Sequence, residues 1–178
     1  MQQTDQEHIN RTLDWIHRVI IGCNFCPFAA RPLQRNGIRF RVDRNSDLET
    51  MLATLAEEFQ HLDQNPDTET TLLILQQGLS EFEDYLDFLS VCQQLLEDLE
   101  YEGIYQLASF HPAYQFAGTD LDDPSNYTNR SPYPIIHILR EDSLEKALAS
   151  YPNPELIPER NIRYARERGL EYMKALLS

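Results

Sequence analysis

Residues 70–76 read Thr-Thr-Leu-Leu-Ile-Leu-Gln, an aliphatic stretch with no polar face. This composition is typical of a strand covered on both faces of a sheet, because neither side offers groups for solvent. Three further strands are predicted around it. Residues 38–42 alternate with a period of two, as a half-buried or edge strand does, and the other two strands are predicted at residues 104–110 and 135–139.

Helices are predicted between the first three strands, and the first of the helices runs to about Ile20. Ser/Thr/Asp-x-x-Glu patterns predict where helices begin. They occur at Thr4–Glu7, Ser46–Glu49 and Ser80–Glu83, with a less complete version at Asp142–Glu145. Gly103 is predicted to end the third helix. A C-terminal helix is predicted from about Pro158, with an interruption at Gly169.

The resulting order, α-β-α-β-α-β-β-α-α, predicts a single α/β domain over residues 1–178, with α+β as the alternative class. Strands joined by helices should be mutually parallel, with right-handed crossovers. The fourth strand follows the third without a helix and should pair antiparallel with it. We therefore expect a mixed four-stranded sheet with helices packed against it.

The charge is unevenly distributed along the chain, whose formal net charge is −14. Residues 46–102 contain fifteen acidic residues and neither Lys nor Arg. Such a block repels phosphate backbones, which argues against nucleic-acid binding. It is explained most simply by solvated helix faces, partly neutralised by the basic stretch before it. That stretch contains Arg31, Arg35, Arg39, Arg41 and Arg44.

Several features predict a cytoplasmic protein that does not insert into a membrane. The first residues lack the pattern of a secretion signal, and the aliphatic run Leu72–Leu75 is far too short to span a bilayer. The three cysteines are an odd number, which argues against a secreted disulfide framework. Oligomeric state and cofactor are not indicated by the sequence.

The segment His111–Pro134, called the connector below, is the most informative part of the chain. Its 24 residues show neither helical nor strand periodicity, and connections longer than about 15 residues are usually functional or disordered. Three Tyr, one Phe and four Pro favour order. An ordered loop rich in hydrogen-bonding groups predicts a binding surface. His111 and His137 frame it.

The pair Cys23-x-x-Cys26 follows a helix, in a turn between Gly22 and Pro27. A redox pair normally precedes a helix, and a zinc site would need further ligands such as His111 or His137. Both cysteines could equally be small buried side chains without chemistry. Cys92, on the third predicted helix, is interpreted as structural.

Two functional hypotheses and a third alternative follow. The first is a small-molecule enzyme with catalytic residues Cys26, His111 and His137, in which a histidine is the base and the cysteine the nucleophile. The second is a non-catalytic protein whose connector binds a partner or metabolite. The third is a metal-dependent protein using both histidines and a carboxylate from Asp120, Asp122 or Asp123.

The ligand-binding residues of this predicted site lie in and just beyond the connector. Arginine offers a planar fork for a carboxylate or phosphate, so a small anionic molecule is the expected ligand. The predicted residues are Asn126, Tyr127, Asn129, Arg130, Ser131, Tyr133 and Arg140.

Four stretches carry a resemblance to a known family: Asn24–Ala29 (Asn-Phe-Cys-Pro-Phe-Ala), Ala108–Pro112 (Ala-Ser-Phe-His-Pro), Asn126–Pro134 and His137–Glu141. They resemble an uncharacterised bacterial family known only as a domain of unknown function. The resemblance covers nearly the whole chain and implies a bacterial cytoplasmic protein. It supplies no activity and no catalytic residues. In that family the first motif centres on Asn24-x-Cys26-Pro27-Phe28, so Cys23 is not implied as a partner of Cys26.

Overall fold

The computed structural model describes residues 4–178 as three layers, with helices on both faces of a four-stranded sheet. The predicted α/β class is confirmed. The strands are β1 (Ile38–Asp43), β2 (Thr70–Leu75), β3 (Tyr105–Phe110) and β4 (Ile135–Arg140). The helices are α1 (Asp5–Trp15), α2 (Ala30–Gln34), α3 (Leu48–Gln64), α4 (Phe82–Asp98), α5 (Glu141–Ala149), α6 (Ile157–Arg168) and α7 (Leu170–Leu177). A π-helix, Ile16–Ile21, continues α1, and short 3-10 helices form at Pro124–Thr128 and Pro154–Leu156.

The strand order in the sheet is β1-β2-β4-β3. β1 and β2 pair in parallel, and β4 pairs antiparallel with both β2 and β3. The first three strands therefore run in the same direction, as predicted, and the predicted antiparallel pairing of β3 with β4 is confirmed. The carboxyl ends of β1, β2 and β3 meet at one edge of the sheet, called the carboxyl edge below.

Each face of the sheet carries its own hydrophobic core. Leu73 and Leu75 of β2 pack with the apolar stripes of α3 and α4, on what we call the α3–α4 face. Leu72 and Ile74 pack with the π-helix, α6 and α7, on the opposite α1–α6 face. Every residue of β2 is buried, which confirms the prediction of a strand covered on both sides.

The basic stretch before the acidic block is partly explained by ion pairs to α3. Arg39 donates two hydrogen bonds to the buried carboxylate of Glu58, at 2.7 and 3.1 Å, and Arg41 lies 3.9 Å from the same carboxylate. Arg44 instead pairs with Asp5 of α1 at 2.7 Å. The predicted neutralisation of the acidic block is thus confirmed for Arg39 and Arg41, whereas Arg44 pairs elsewhere.

Only one of the predicted helix starts is the capping box that the sequence indicates. Thr4 accepts from the backbone N–H of Glu7 and donates its own N–H to the Glu7 carboxylate. For α3 the cap is Asp47, which accepts from the N–H of Thr50 at 2.9 Å. The predicted cap at Ser46 is therefore wrong by one residue. The starts of α4 and α5 carry no side-chain cap. For α4, packing of its buried stripe stabilises the helix without one.

The end of α4 corrects the prediction that Gly103 stops this helix. The helix ends at Asp98, and Glu100 takes a left-handed φ of 62°. The N–H of Tyr101 then reaches the carbonyl of Leu96 at 3.0 Å. This is the Schellman arrangement, in which a left-handed residue that is usually glycine closes the helix.

We expect Glu100→Gly to raise the free energy of unfolding by about 0.5–1 kcal/mol. Glycine adopts a positive φ without the Cβ clash that glutamate suffers there. Urea unfolding measures the gain. The matched control is Glu102→Gly, at a neighbour that has no positive φ, which should be neutral or destabilising. Equal effects of the two substitutions would contradict the assignment.

Candidate functional site

The connector crosses the carboxyl edge between β3 and β4 and is held together by its own buried side chains. Asn126 is completely buried. Its Oδ1 accepts from the N–H of Phe116 at 3.0 Å and from the hydroxyl of Thr119 at 2.9 Å, and its Nδ2 donates to the carbonyl of Asp120 at 2.9 Å. Asn126 therefore organises the loop around it.

Arg130 directs its guanidinium into the connector. Nε donates to the carbonyl of Tyr114 at 3.0 Å, and a terminal nitrogen donates to the carbonyl of Leu121 at 2.9 Å. The guanidinium lies over the ring of Tyr127, 4.5 Å from its centre. The carbonyl of Arg130 in turn accepts from the indole N–H of Trp15 at 2.9 Å. The predicted anion-binding fork is thus bonded to backbone carbonyls.

The other predicted connector residues also bond mainly to the protein itself. Asn129 donates to the carbonyl of Ser109 at 3.1 Å, and the hydroxyl of Ser131 donates to the carbonyl of Tyr133 at 2.6 Å. The ring of Tyr133 packs against His8 of α1, with ring centres 4.7 Å apart. These side chains fix the path of the chain from β3 to β4.

Arg140 lies at the far end of β4, at the opposite edge of the sheet from the connector. Its guanidinium donates to the carbonyl of Leu62 in the last turn of α3 and to the carbonyls of Asn65 and Thr68, which follow the helix. Arg140 closes the carboxyl end of α3. The structure therefore does not bring it together with Arg130.

His111 is completely buried on the α3–α4 face, at the carboxyl end of β3. Its Nδ1 accepts from the N–H of Ala113 at 3.0 Å, so Nε2 carries the proton and donates to the carbonyl of Leu79 at 3.0 Å. Burial lowers its pKa. The neutral ring, packed against Phe82 and Tyr85, holds the loop before α4 in place.

His137 lies on the opposite face, because neighbouring residues of a strand alternate in direction and Ile136 and Ile138 belong to the α3–α4 core. Its Nε2 donates to the hydroxyl of Thr70 at 2.6 Å, and that hydroxyl donates onward to the carbonyl of Ile138. Burial lowers its pKa to about 4. The two histidines are therefore separated by the sheet.

Cys23 and Cys26 lie on the α1–α6 face, in the turn after the π-helix. Burial raises the pKa of both thiols, which disfavours the thiolate that a nucleophile requires. Side chains of α6 hold the turn: Arg160 donates to the carbonyl of Asn24, and Asn161 to that of Phe25 at 2.7 Å.

The predicted Cys–His–Arg constellation is not assembled in this structure. Cys26 lies on the face opposite to His111, and among residues 4–178 no hydrogen bond joins its thiol to His137. The described part of the chain also contains no group of three His, Cys, Asp or Glu side chains placed to hold a metal ion. Asp123, one candidate ligand, is paired with Arg166 at 2.7 Å, and this pairing lowers its pKa.

A different site opens at the carboxyl edge, on the α3–α4 face. It is a solvent-open cavity of about 340 Å³ between the loops that follow β1 and β2, the first turn of α3 and the amino-terminal half of α4. We call it the acidic groove. Its walls are formed by Ser46, Leu48, Gly78, Leu79, Asp84, Asp87, Phe88 and Val91.

The base of the acidic groove is held by close packing of two loops. Gly78 has a φ of 85°, and a Cβ at this position would lie 3.2 Å from the carbonyl oxygen of Ser46 and 3.3 Å from Cε of Met51. Glycine therefore permits the approach of the two loops. Leu79, the next residue, is fixed by the hydrogen bond from His111. The hydrogen bond from His111 to Leu79 and the close approach of the loops at Gly78 together make the groove a preformed feature of the fold.

The outer wall combines apolar and acidic side chains. Asp84, Asp87, Phe88 and Val91 recur at helical spacing and form one stripe on α4. Phe88 is buried beneath the groove, whereas Val91 is 48% exposed, and Leu48 across the groove is 50% exposed. Two large apolar side chains thus face solvent beside two carboxylates.

The charged side chains that line the acidic groove, Asp84 and Asp87, are both acidic. Every wall residue belongs to residues 46–102, which contain no Lys or Arg. The amino ends of α3 and α4 each contribute only about half a positive charge, whereas Asp47, Glu83 and Asp84 occupy those ends with full charges. The groove therefore favours a cationic ligand over an anionic one.

Sequence reasoning missed this groove although it found the acidic block. The available signal was the complete absence of basic residues from a segment that also places Val91 outside the apolar stripe of its helix. A solvated helix face usually mixes both signs of charge.

These features define a three-layer α/β protein with an ordered connector and a preformed acidic cavity at the carboxyl edge of its sheet. The chain belongs to DUF1415, a family of proteins of unknown function, whose model matches residues 7–175. The family resemblance of the sequence is thereby confirmed. Neither the curated proteins nor the solved structures contain a match to the chain. Within residues 4–178, no helix has both the length and the apolar character needed to cross a bilayer.

Proposed function

We propose that this protein binds a small cationic molecule with an apolar body, and that the acidic groove is its binding site. The observation that carries the proposal is the combination, in one cavity, of apolar walls with carboxylates and no basic residue. The volume of about 340 Å³ lies at the lower end of the range for small-molecule sites.

The position of the groove supports the same proposal. In open α/β sheets, ligands bind in the crevice outside the carboxyl ends of the strands. The groove lies between the loops that leave β1 and β2 at this edge. The position of the groove supports a binding site only by analogy between folds. The choice of a cationic ligand rests on the chemistry of the walls.

The energetics require the ligand to have an apolar part. Asp84 and Asp87 are exposed, and an exposed ion pair contributes only about 0.2–1 kcal/mol. Contact with the exposed side chains of Leu48 and Val91 that buries roughly 150 Å² of apolar surface would contribute about 4 kcal/mol. The carboxylates therefore select the charge of the ligand, and the apolar walls supply most of the affinity.

We propose binding rather than nucleophilic catalysis because the groove contains neither cysteine nor histidine. The thiols of Cys23 and Cys26 lie on the opposite face of the sheet. His111 touches the groove only through its bond to the Leu79 carbonyl. Its role there is to position the loop.

The proposal predicts that n-hexylammonium binds and that n-hexanoate, which has a similar chain and the opposite charge, does not. Isothermal titration measures affinity, and the backbone amide shifts of Gly78 and Leu79 report the location. The double variant Asp84→Asn/Asp87→Asn should weaken n-hexylammonium binding about five- to tenfold.

The matched control is Glu97→Gln/Asp98→Asn, which removes two carboxylates from the other end of the same helix. It should leave the affinity within about twofold of the native protein. Preferential binding of n-hexanoate, or equal affinities for the two double variants, would contradict the proposed site.

A further inference from the structure

One side of α3 faces α4 from the acidic groove to the last turn of the helix. Both helices follow parallel strands and pack on the same core, so they run side by side in the same direction. Leu48 lines the groove together with residues of α4. At the other end, the hydroxyl of Tyr101 donates to Asp63 of α3 at 2.6 Å, and its ring packs against Phe59. Leu48, Leu52, Phe59 and Asp63 recur at helical spacing and so share this side of α3.

The furrow between the two helices, called the outer seam below, leaves apolar side chains exposed. Leu48 and Leu52 lie on its α3 side, and Val91, Leu95 and Leu99 follow one another at intervals of one turn on its α4 side. Leu48, Val91 and Leu99 are 50%, 48% and 42% exposed, whereas Leu52 and Leu95 are partly buried against the core. Scattered single apolar side chains are normal on a surface, but a contiguous row of them marks an interaction site.

The charges that border the outer seam are acidic. Asp84, Asp87 and Asp98 lie along its α4 side, and Glu49 lies in the first turn of α3; all four are exposed. Residues 46–102 supply no Lys or Arg to offset them. Complementary charge steers association and like charge opposes it. The outer seam therefore favours a basic partner and disfavours an anionic one, whether a phosphate backbone or an acidic lipid surface.

The shape of the outer seam fits a helix. From Leu48 to Asp63, α3 is about 22 Å long, which corresponds to roughly four helical turns. A hydrophobic furrow of this kind accepts the apolar stripe of an amphipathic helix, whose anchors recur at i, i+3, i+4 and i+7. A second copy of the chain that docked seam to seam would bring two acidic blocks together. The charge therefore favours a different protein as the partner.

We propose that the outer seam docks a basic amphipathic helix of another protein, and that a lysine of this helix enters the acidic groove. A lysine side chain is itself a cation with an apolar stem. The inference thus rests on the proposed function and names the partner that presents the cation. The apolar stripe of the partner helix packs on Leu52, Leu95 and Leu99, and its basic flanks lie beside the carboxylates of α4.

The test uses a labelled, end-capped peptide of about 15 residues, with leucine at every third or fourth position and lysine elsewhere. The control peptide has the same composition in a scrambled order that forms no apolar stripe. Fluorescence anisotropy should show that the native protein binds the amphipathic peptide at least about tenfold more tightly than the scrambled one. Binding should weaken as the salt concentration rises, and the amide shifts of Leu95 and Leu99 report the location.

Leu99→Lys places a positive charge in the outer seam and removes an apolar contact. It should weaken binding of the amphipathic peptide about tenfold. The matched control is Leu86→Lys, which adds the same charge to the same helix at a leucine that is 39% exposed. Leu86 lies five residues before Val91 and so points to another side of α4. This control should stay within about twofold of the native affinity.

The outcomes separate the two proposals, because neither Leu86 nor Leu99 lines the acidic groove. Binding of n-hexylammonium without a preference for the amphipathic peptide overturns the partner helix and leaves the groove as a binding site. Failure of n-hexylammonium to bind overturns the proposed function and the lysine in the groove with it. Equal effects of Leu99→Lys and Leu86→Lys overturn the outer seam as the docking surface. A native dimer that Leu99→Lys dissociates would assign the seam to a second copy and also overturn the inference.

Discussion

Replacing Arg130 with alanine is expected to lower the free energy of unfolding by about 3–5 kcal/mol. The substitution removes two part-buried hydrogen bonds from the guanidinium to the carbonyls of Tyr114 and Leu121, and a hydrogen bond to a charged group contributes about 1.5–3 kcal/mol. It also removes the guanidinium stacked on Tyr127, a contact of about 1 kcal/mol or more when desolvated. Urea denaturation measures the loss.

Two comparisons make this result specific. Arg163→Ala, at an exposed position of α6, should change stability by less than about 0.5 kcal/mol. Folded Arg130→Ala should bind n-hexylammonium as the native protein does, because Arg130 is not part of the acidic groove. If Arg130→Ala left the stability unchanged but abolished binding of an anionic ligand, the result would instead support the anion site that the sequence predicts.

The second large effect is an acid sensitivity caused by His137. The folded protein holds the pKa of this ring at about 4, below its ordinary value of about 6.5. As the pH falls from 6.5 towards 4, the imidazole binds a proton in the unfolded chain but not in the folded protein. Stability from this residue is therefore present above pH 6.5 and is lost progressively below it.

The loss should reach about 2–3 kcal/mol near pH 4, allowing for the partial exposure of the ring. His137→Gln keeps a donor for Thr70 but cannot titrate, so its stability should fall less steeply between pH 7 and pH 4. His17→Gln, at an exposed position of the π-helix, should follow the native curve. Parallel curves for His137→Gln and the native protein would contradict the partly buried, neutral imidazole.

The fold was largely predictable because its signals are local. An aliphatic run at residues 70–76 requires cover on both faces, and the order of helices and strands sets the directions of the first three strands. The insertion of β4 between β2 and β3 was not predictable, since strand order depends on pairing between distant segments. The three wrong helix caps were misplaced or absent: α3 is capped by Asp47, one residue later, and α4 and α5 begin without a side-chain cap.

The candidate site was harder to predict because composition does not reveal which way a side chain points. Asn126 and Arg130 have the donors and acceptors expected of ligand-binding residues, yet the structure turns these groups onto the backbone of the connector. For the acidic groove the prediction failed in the opposite way, because its residues were not predicted to form a site. Its residues looked like an ordinary solvated face, and only the packing of α3 against α4 brings Leu48 beside Val91, Asp84 and Asp87.

A crystal structure of the protein saturated with n-hexylammonium tests the central claim most directly. We expect the hexyl chain to lie between Leu48 and Val91, with the ammonium nitrogen beside the carboxylates of Asp84 and Asp87. An empty groove with the ligand ordered at the connector or beside Cys26 would contradict the account.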